Sequence, residues 1–247
     1  MDWSFQLYSA RNTEIGEALK IISDAGFTSV EAYGDNFVDA DGFRDALKTY
    51  GLSVPSMHVN LGPLRDSSDA MLTRAKDFAV KHIVCPYLDP EERPASKAEW
   101  TALAQELTVL AKPWIDNGYT FAWHNHDFEF QALSDGTVPM QLILDEATDI
   151  QWEIDVAWIV RAAADPMPWI EKYGSRISAV HLKDIAPAGE CSDEDGWADF
   201  GHGVVDWKAA MPALLKTGAA HYAVEHDNPN NLERFAQRSI ASARQFA

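Results

Sequence analysis

The sequence predicts an α/β fold, a single (β/α)8 barrel over residues 1–247, and three observations predict it. The length of 247 residues matches the usual size of one such barrel. Short apolar or aromatic runs alternate with segments of helical period, and eight such pairs can be counted. Ionisable side chains recur at alternate positions of those runs, mostly near their ends, where a barrel gathers its functional groups. No linker rich in Pro, Gly or Ser divides the chain, so one domain is expected.

In chain order, strands are expected over 3–8, 29–33, 54–60, 82–87, 119–126, 151–157, 177–184 and 221–227. Neighbouring residues of a strand face opposite sides, so each run sorts into a helix-facing and a barrel-facing set. The second strand sets Glu31 against Val30 and Ala32, and the third sets His58 and Asn60 against Met57 and Val59. The fifth places His124 and His126 opposite Phe121 and Trp123. The sixth places Glu153 and Asp155 opposite Trp152, Ile154 and Val156. The seventh turns His181 and Lys183 inward against Val180 and Leu182; the eighth turns Glu225 and Asp227 inward against Tyr222 and Val224.

Amphipathic helices are expected over 14–24, 40–50, 69–80, 98–117 and 207–216, with a short one near 139–147. Gly26, Gly51, Gly118, Gly174 and Gly218 stand where helix C-caps would fall. Asp206 is placed to cap the seventh helix, and Asp184, outward by parity, to cap or anchor the loop beside it. The longest irregular stretch, 186–203, is acidic and glycine-rich, contains Trp197 and Phe200, and is expected to serve as a lid.

With 38 acidic against 20 basic residues the formal charge is −18, which repels phosphate backbones and anionic membranes and argues against a nucleic-acid partner. No run is long and apolar enough to span a bilayer, and no signal-peptide pattern is seen at the N-terminus. Cys85 and Cys191 lie far apart without CxxC spacing. A reducing, cytoplasmic setting is the simplest expectation.

Carboxylates crowded inside a barrel are costly unless something positive neutralises them. Lys183 is one internal candidate, with Glu153 as an ion-pair partner. A divalent cation does this better, because Asp155, His181 and Glu225 arrive from three consecutive strands at matching depth with ligand types suited to Mn²⁺, Mg²⁺, Co²⁺ or Zn²⁺. His82 and His221, at strand beginnings, read as hydrogen-bonded core residues.

Six segments carry a resemblance: Val30-Glu31-Ala32-Tyr33, the run from His124 to Phe130 (HNHDFEF), Glu153-Ile154-Asp155-Val156-Ala157-Trp158, His181-Leu182-Lys183-Asp184, the run from Gly201 to Trp207, and Val224-Glu225-His226-Asp227. Their types and order resemble the xylose isomerase-like TIM-barrel superfamily, which holds sugar isomerases, ketose 3-epimerases, inosose dehydratases and type IV endonucleases. The resemblance implies metal ligation by Asp155, His181 and Glu225. The fourth ligand of ketose epimerases is a glutamate on the fifth strand, where this chain has His124. Either Glu129 swings back to complete the set or the histidine replaces it; Glu129 is the expectation carried forward.

The implied activity is that of a metal-dependent sugar isomerase or epimerase, with Mn²⁺ the first-choice ion, acting on a keto-sugar or cyclitol through an enediolate. Glu225 is the first candidate base, His124, His126 or Glu129 its partner acid, and Lys183 an orienting group. His58, Glu31, Trp158 and His202 are expected to line the substrate pocket. Few basic residues fall at strand ends and no phosphate-cradling glycine loop is present, so the substrate is expected to be unphosphorylated. Reprotonation and loss of a β-substituent both start from the same enediolate, so a dehydratase of inosose or 3-keto-sugar type stays open. A non-catalytic sugar-binding barrel also remains. Members of the superfamily often associate, and a homo-oligomer is compatible with the sequence.

Overall fold

Alternating aromatic and polar residues give strands whose two faces are both buried, the condition for a parallel sheet covered by helices. The computed structural model describes residues 2–246. In chain order they form β1 (Trp3–Gln6), α1 (Ile15–Ala25), β2 (Ser29–Ala32), α2 (Ala40–Tyr50), β3 (Ser53–His58), α3 (Leu61–Asp66), α4 (Ser68–Asp77) and β4 (His82–Cys85). There follow α5 (Lys97–Asp116), β5 (Thr120–His124), α6 (Pro139–Glu146), β6 (Gln151–Asp155), α7 (Val156–Arg161), α8 (Pro166–Tyr173) and β7 (Ile177–Leu182). The chain ends with the two-residue strands β8 (Asp184–Ile185) and β9 (Trp197–Ala198), then α9 (Trp207–Leu214), β10 (His221–Val224) and α10 (Leu232–Ala243).

Strands β1 to β7 pair in sequence order, and β10 closes the ring between β7 and β1. Every neighbouring pair in the ring is parallel. The outward face packs Phe5, Val30, Met57, Ile83, Phe121, Trp152, Val180 and Val224 against the helices, all nearly or fully buried. The described residues form one closed barrel with one hydrophobic core. Among the described residues, no helix is long and apolar enough to cross a membrane.

Several strands end sooner than expected. The sixth stops at Asp155, whose carboxylate accepts the Trp158 amide at 2.9 Å and starts α7 one residue later. The fifth stops at His124 and the eighth stave at Val224. Gly26 and Gly51 are left-handed C-caps as expected, with φ of 100° and 67°, whereas Gly174 is right-handed and leads into a further turn.

The segment after β7 is built in rather than loose. β8 and β9 pair antiparallel, matching Asp184 with Ala198 and Ile185 with Trp197. The Asp184 carboxylate accepts the amides of Ile185, Gly201 and Val205, which is the anchoring role expected of it. Arg234 holds Glu194 and Asp199, and Arg161 donates to the Asp195 carbonyl at 2.9 Å. Asp206 caps α9 through the Ala209 amide, as the sequence suggested.

Candidate active site

The strand register sets the depth of each inward group. Asp155 pairs with His181, and His124 pairs with Glu153 one inward step lower. Ala223 pairs with His181, so Glu225 follows at the level above, its amide bonded to the Leu182 carbonyl. Asn125 locks the tops of β5 and β6: its side-chain oxygen accepts from Trp152 Nε1 and the Asp155 amide, while Nδ2 donates to the Asp155 carbonyl. Sequence reasoning overlooked Asn125, although an amide set between two histidines was the available signal.

Two groups of ligand-type atoms result, each with its members within 4.8 Å of one another among the described residues. The upper group is His124, Asp155, His181 and Glu225; the lower is His58, His124, Glu153 and His181. The four upper residues are between 0% and 6% exposed. Glu225 Oε2 lies 3.0 Å from His181 Nδ1 and 3.2 Å from Lys183 Nζ. Asp155 Oδ2 is buried with no hydrogen-bond partner, and His124 Nδ1 is likewise without one, lying 3.2 Å from Glu153 Oε2 but poorly aligned with it.

The electrostatics follow from that crowding. Burial alone would raise Glu225, but Lys183 and His181 hold its carboxyl well below the usual range, so it stays ionised. Burial pushes Asp155 up to about 7, despite the opposing pull of Lys183 and His181. Burial brings His124 down to about 4 and His126 well below its ordinary value, so both rings are neutral near pH 7. His181 goes the other way: burial opposes its charge, but Glu153, Glu225 and Glu31 together carry it well above the usual imidazole value. These atoms fit a divalent cation, because a buried carboxylate oxygen without a partner is costly unless a positive centre faces it.

Several expected site residues sit elsewhere. Glu129, expected as fourth ligand, belongs to neither group; its oxygens accept Trp123 Nε1 at 3.0 Å and the His126 amide at 2.9 Å. Burial pushes its carboxyl up to about 8. The outward Trp123 indole and the turn after β5 draw Glu129 away, leaving His124 as the strand-five member of the upper group. His202 is exposed, and its Nε2 lies 3.3 Å from Ser242 Oγ on α10. A Cβ on Gly201 would clash with Ser242 of α10, and one on Gly203 with Asp184 and the Ile185 carbonyl of β8, so this turn is packed between α10 and β8. Glu31, expected to touch substrate, is fully buried and shared among Gln6, Ser56, His58 and His181.

Lys183 does not pair with Glu153. Its ammonium bonds Glu225 and Asp227 and lies 4.8 Å from the ring of Trp158 and 4.4 Å from that of Trp197. Trp158 therefore borders the site, with His126 at 5.0 Å from its ring and Trp197 at 4.6 Å. His58 closes the lower group, its Nε2 2.8 Å from Glu153 Oε2. A groove of about 920 Å³ between α8 and α9 includes none of these side chains. Converging chemistry, rather than the size of a hollow, locates the site.

Residues 19–246 match the family described as xylose isomerase-like TIM barrel. The chain belongs to that family. Within the xylose isomerase-like family, an inosose dehydratase of Salmonella agona (strain SL483) is 26% identical over 206 residues, covering 71% of this chain and 67% of that protein. A sugar phosphate isomerase/epimerase from Parabacteroides distasonis superposes with a TM-score of 0.78 at 19% identity, covering 99% of this chain and 94% of that one. The IOLI protein, whose structure holds a bound zinc atom, superposes with a TM-score of 0.74 at 17% identity, covering 100% of this chain and 96% of that one. At such identities these two structures establish the shared fold.

Proposed function

We propose that this xylose isomerase-like barrel is a divalent-metal-dependent enzyme that removes a proton next to the carbonyl of an unphosphorylated keto-sugar or inosose. The observation that carries the reading is Asp155 Oδ2, fully buried and unpartnered amid His124, His181 and Glu225. These four residues would hold the ion. When bound, it would supply positive charge beside the substrate's ketone oxygen and lower the cost of an enediolate.

The protein's own groups do the rest. Glu225, kept ionised by Lys183 and His181, accepts the proton from the carbon beside the carbonyl. His126, neutral and half-buried between Tyr87, His124 and Trp158, has a buried Nδ1 free to serve as hydrogen-bonding partner for a hydroxyl. Lys183 keeps its charge and orients Glu225, while the Trp158 and Trp197 rings exclude water. The ammonium is already shared by two carboxylates, which leaves it poorly placed to receive a substrate phosphate.

Return of the proton to either carbon gives epimerase or isomerase chemistry. Loss of a β-hydroxyl, which takes up the proton held by Glu225, releases one water and needs no other reactant. Two features favour this dehydratase outcome: the strand-five member of the ligand group is a histidine and not a second glutamate, and inosose dehydratases are relatives in sequence. The deciding experiment combines a metal assay with a screen of keto-sugars and inososes in deuterated water. One divalent ion per chain with solvent deuterium exchange or water loss is expected; a chain that binds sugar without either would refute the proposal.

A further inference from the structure

We infer that Glu31 is the positioning residue for His181, fixing which of its two nitrogens faces the upper group. This inference rests on His181 being an ion ligand. The Tyr8 amide, which can only donate, bonds the Gln6 side-chain oxygen at 3.0 Å. That bond fixes the flip of the Gln6 amide, so Nε2 points the other way and donates to Glu31 Oε1 at 2.8 Å. Ser56 Oγ lies against the other oxygen, Oε2, and donates to it.

A carboxylate held by two such donors is an acceptor, so the hydrogens in its contacts with the His58 and His181 rings belong to the imidazoles. The nearer of these is His181 Nε2, 2.7 Å from Glu31 Oε1, with Glu153 Oε2 a second and longer contact of the same nitrogen at 3.1 Å. Once the ring gives up one of its two protons to ligate an ion, the lone pair would sit on Nδ1, which lies 3.0 Å from Glu225 Oε2 in the upper group. Glu31 is fully buried, so its influence on chemistry passes through His181 and not through contact with substrate. Carboxylates that hold the far nitrogen of a ligating imidazole affect ion affinity as well as ring orientation.

The test reads ion binding and ring protonation, not turnover. Long-range nitrogen–proton NMR on the zinc-loaded wild-type protein should show His181 protonated at Nε2 with Nδ1 shifted by the metal. Calorimetric titration of metal-free protein with Zn²⁺ should show Glu31→Ala weakening binding about 10–100-fold. Glu31→Gln, which retains one oxygen to accept the His181 hydrogen, should recover most of that loss. His181 protonated at Nδ1, or Glu31→Ala binding zinc as tightly as wild type, overturns the inference. Where Glu31→Ala fails to fold, the wild-type spectrum decides alone. A chain with the expected ring state but no turnover keeps this inference and loses the proposed function; an active chain with the opposite ring state does the reverse.

Discussion

The barrel interior holds two polar layers made of the same residue types, and they differ in how fully their hydrogen bonds are used. In the deeper layer Glu31 is met by Gln6, Ser56 and His181, His221 by Ser56, and His82 by Ser178. Ser4 Oγ and one oxygen of Glu153 are the buried atoms there without partners. His124 Nδ1, facing Glu153 where the two layers meet, is left over, and so are Asp155 Oδ2 and His126 Nδ1 in the layer above. Buried polar groups are normally paired, so an unpartnered Asp155 oxygen grouped with ligand atoms of His124, His181 and Glu225 marks where an outside group is meant to complete the set. Burial and charge do not separate the layers, since both are dry and both mix acids with imidazoles. Completion does.

Removing charge from the upper layer should have the largest effect. Glu225→Gln should lower kcat/KM by roughly 10³-fold or more, because it removes the proposed base and weakens an ion ligand together. Wild-type circular dichroism with near-wild-type turnover would show that the upper layer is not the reacting one. Lys183→Met should act on stability. It leaves Glu225 and Asp227 without their shared cation, and breaking a buried pair typically costs about 3–5 kcal/mol, with Asp227's partial exposure pulling the cost toward the lower end. Urea unfolding measures it; a loss below about 1 kcal/mol would mean that water already screens the pair.

How much of this was legible beforehand differs between the strands and their ends. Side-chain parity is a local property with an exact period of two, so one patterned run sorts Glu153 and Asp155 from Trp152 and Ile154 without tertiary knowledge. The same reading collected His58, His124, His181, Lys183 and Glu225 into the interior, where they are found. Past the last ladder bond the direction of a side chain depends on what packs nearby. Glu129 is five residues from His124, and only the fold brings the Trp123 indole to it. His202 lies beside a glycine pair whose tight contacts with Ser242 and Asp184 have no signature in composition. The loop at 186–203 looked free because its anchors, Arg161 and Arg234, are distant in sequence.

Glu129 allows a milder test of the same contrast, at the edge of the site. Its folded carboxyl is raised by burial to about 8 from an ordinary 4.5. The folded state thus holds a proton that the unfolded chain releases, and stability present below pH 4.5 is lost as pH rises toward 8. The slope from this group is at most about 1.4 kcal/mol per pH unit. Glu129→Gln should flatten melting temperature against pH across that window, at the expense of one of the two bonds from Trp123 and His126. An unchanged slope would mean that the carboxyl ionises freely in the folded state.

The smallest effect should come from the completed layer. Ser178 donates to or accepts from His82 Nε2 at 3.1 Å, and burial keeps that ring neutral by lowering it to about 4. Ser178→Ala removes one half-buried hydrogen bond, costing about 1 kcal/mol of stability. Because His82 belongs to neither ligand group, zinc affinity should stay within twofold of wild type. That pairing of a measurable stability loss with unchanged ion binding is what separates a satisfied layer from an incomplete one. If Ser178→Ala weakened zinc binding tenfold, the two layers would be a single coupled network, and unused hydrogen-bonding capacity would no longer locate the reacting level.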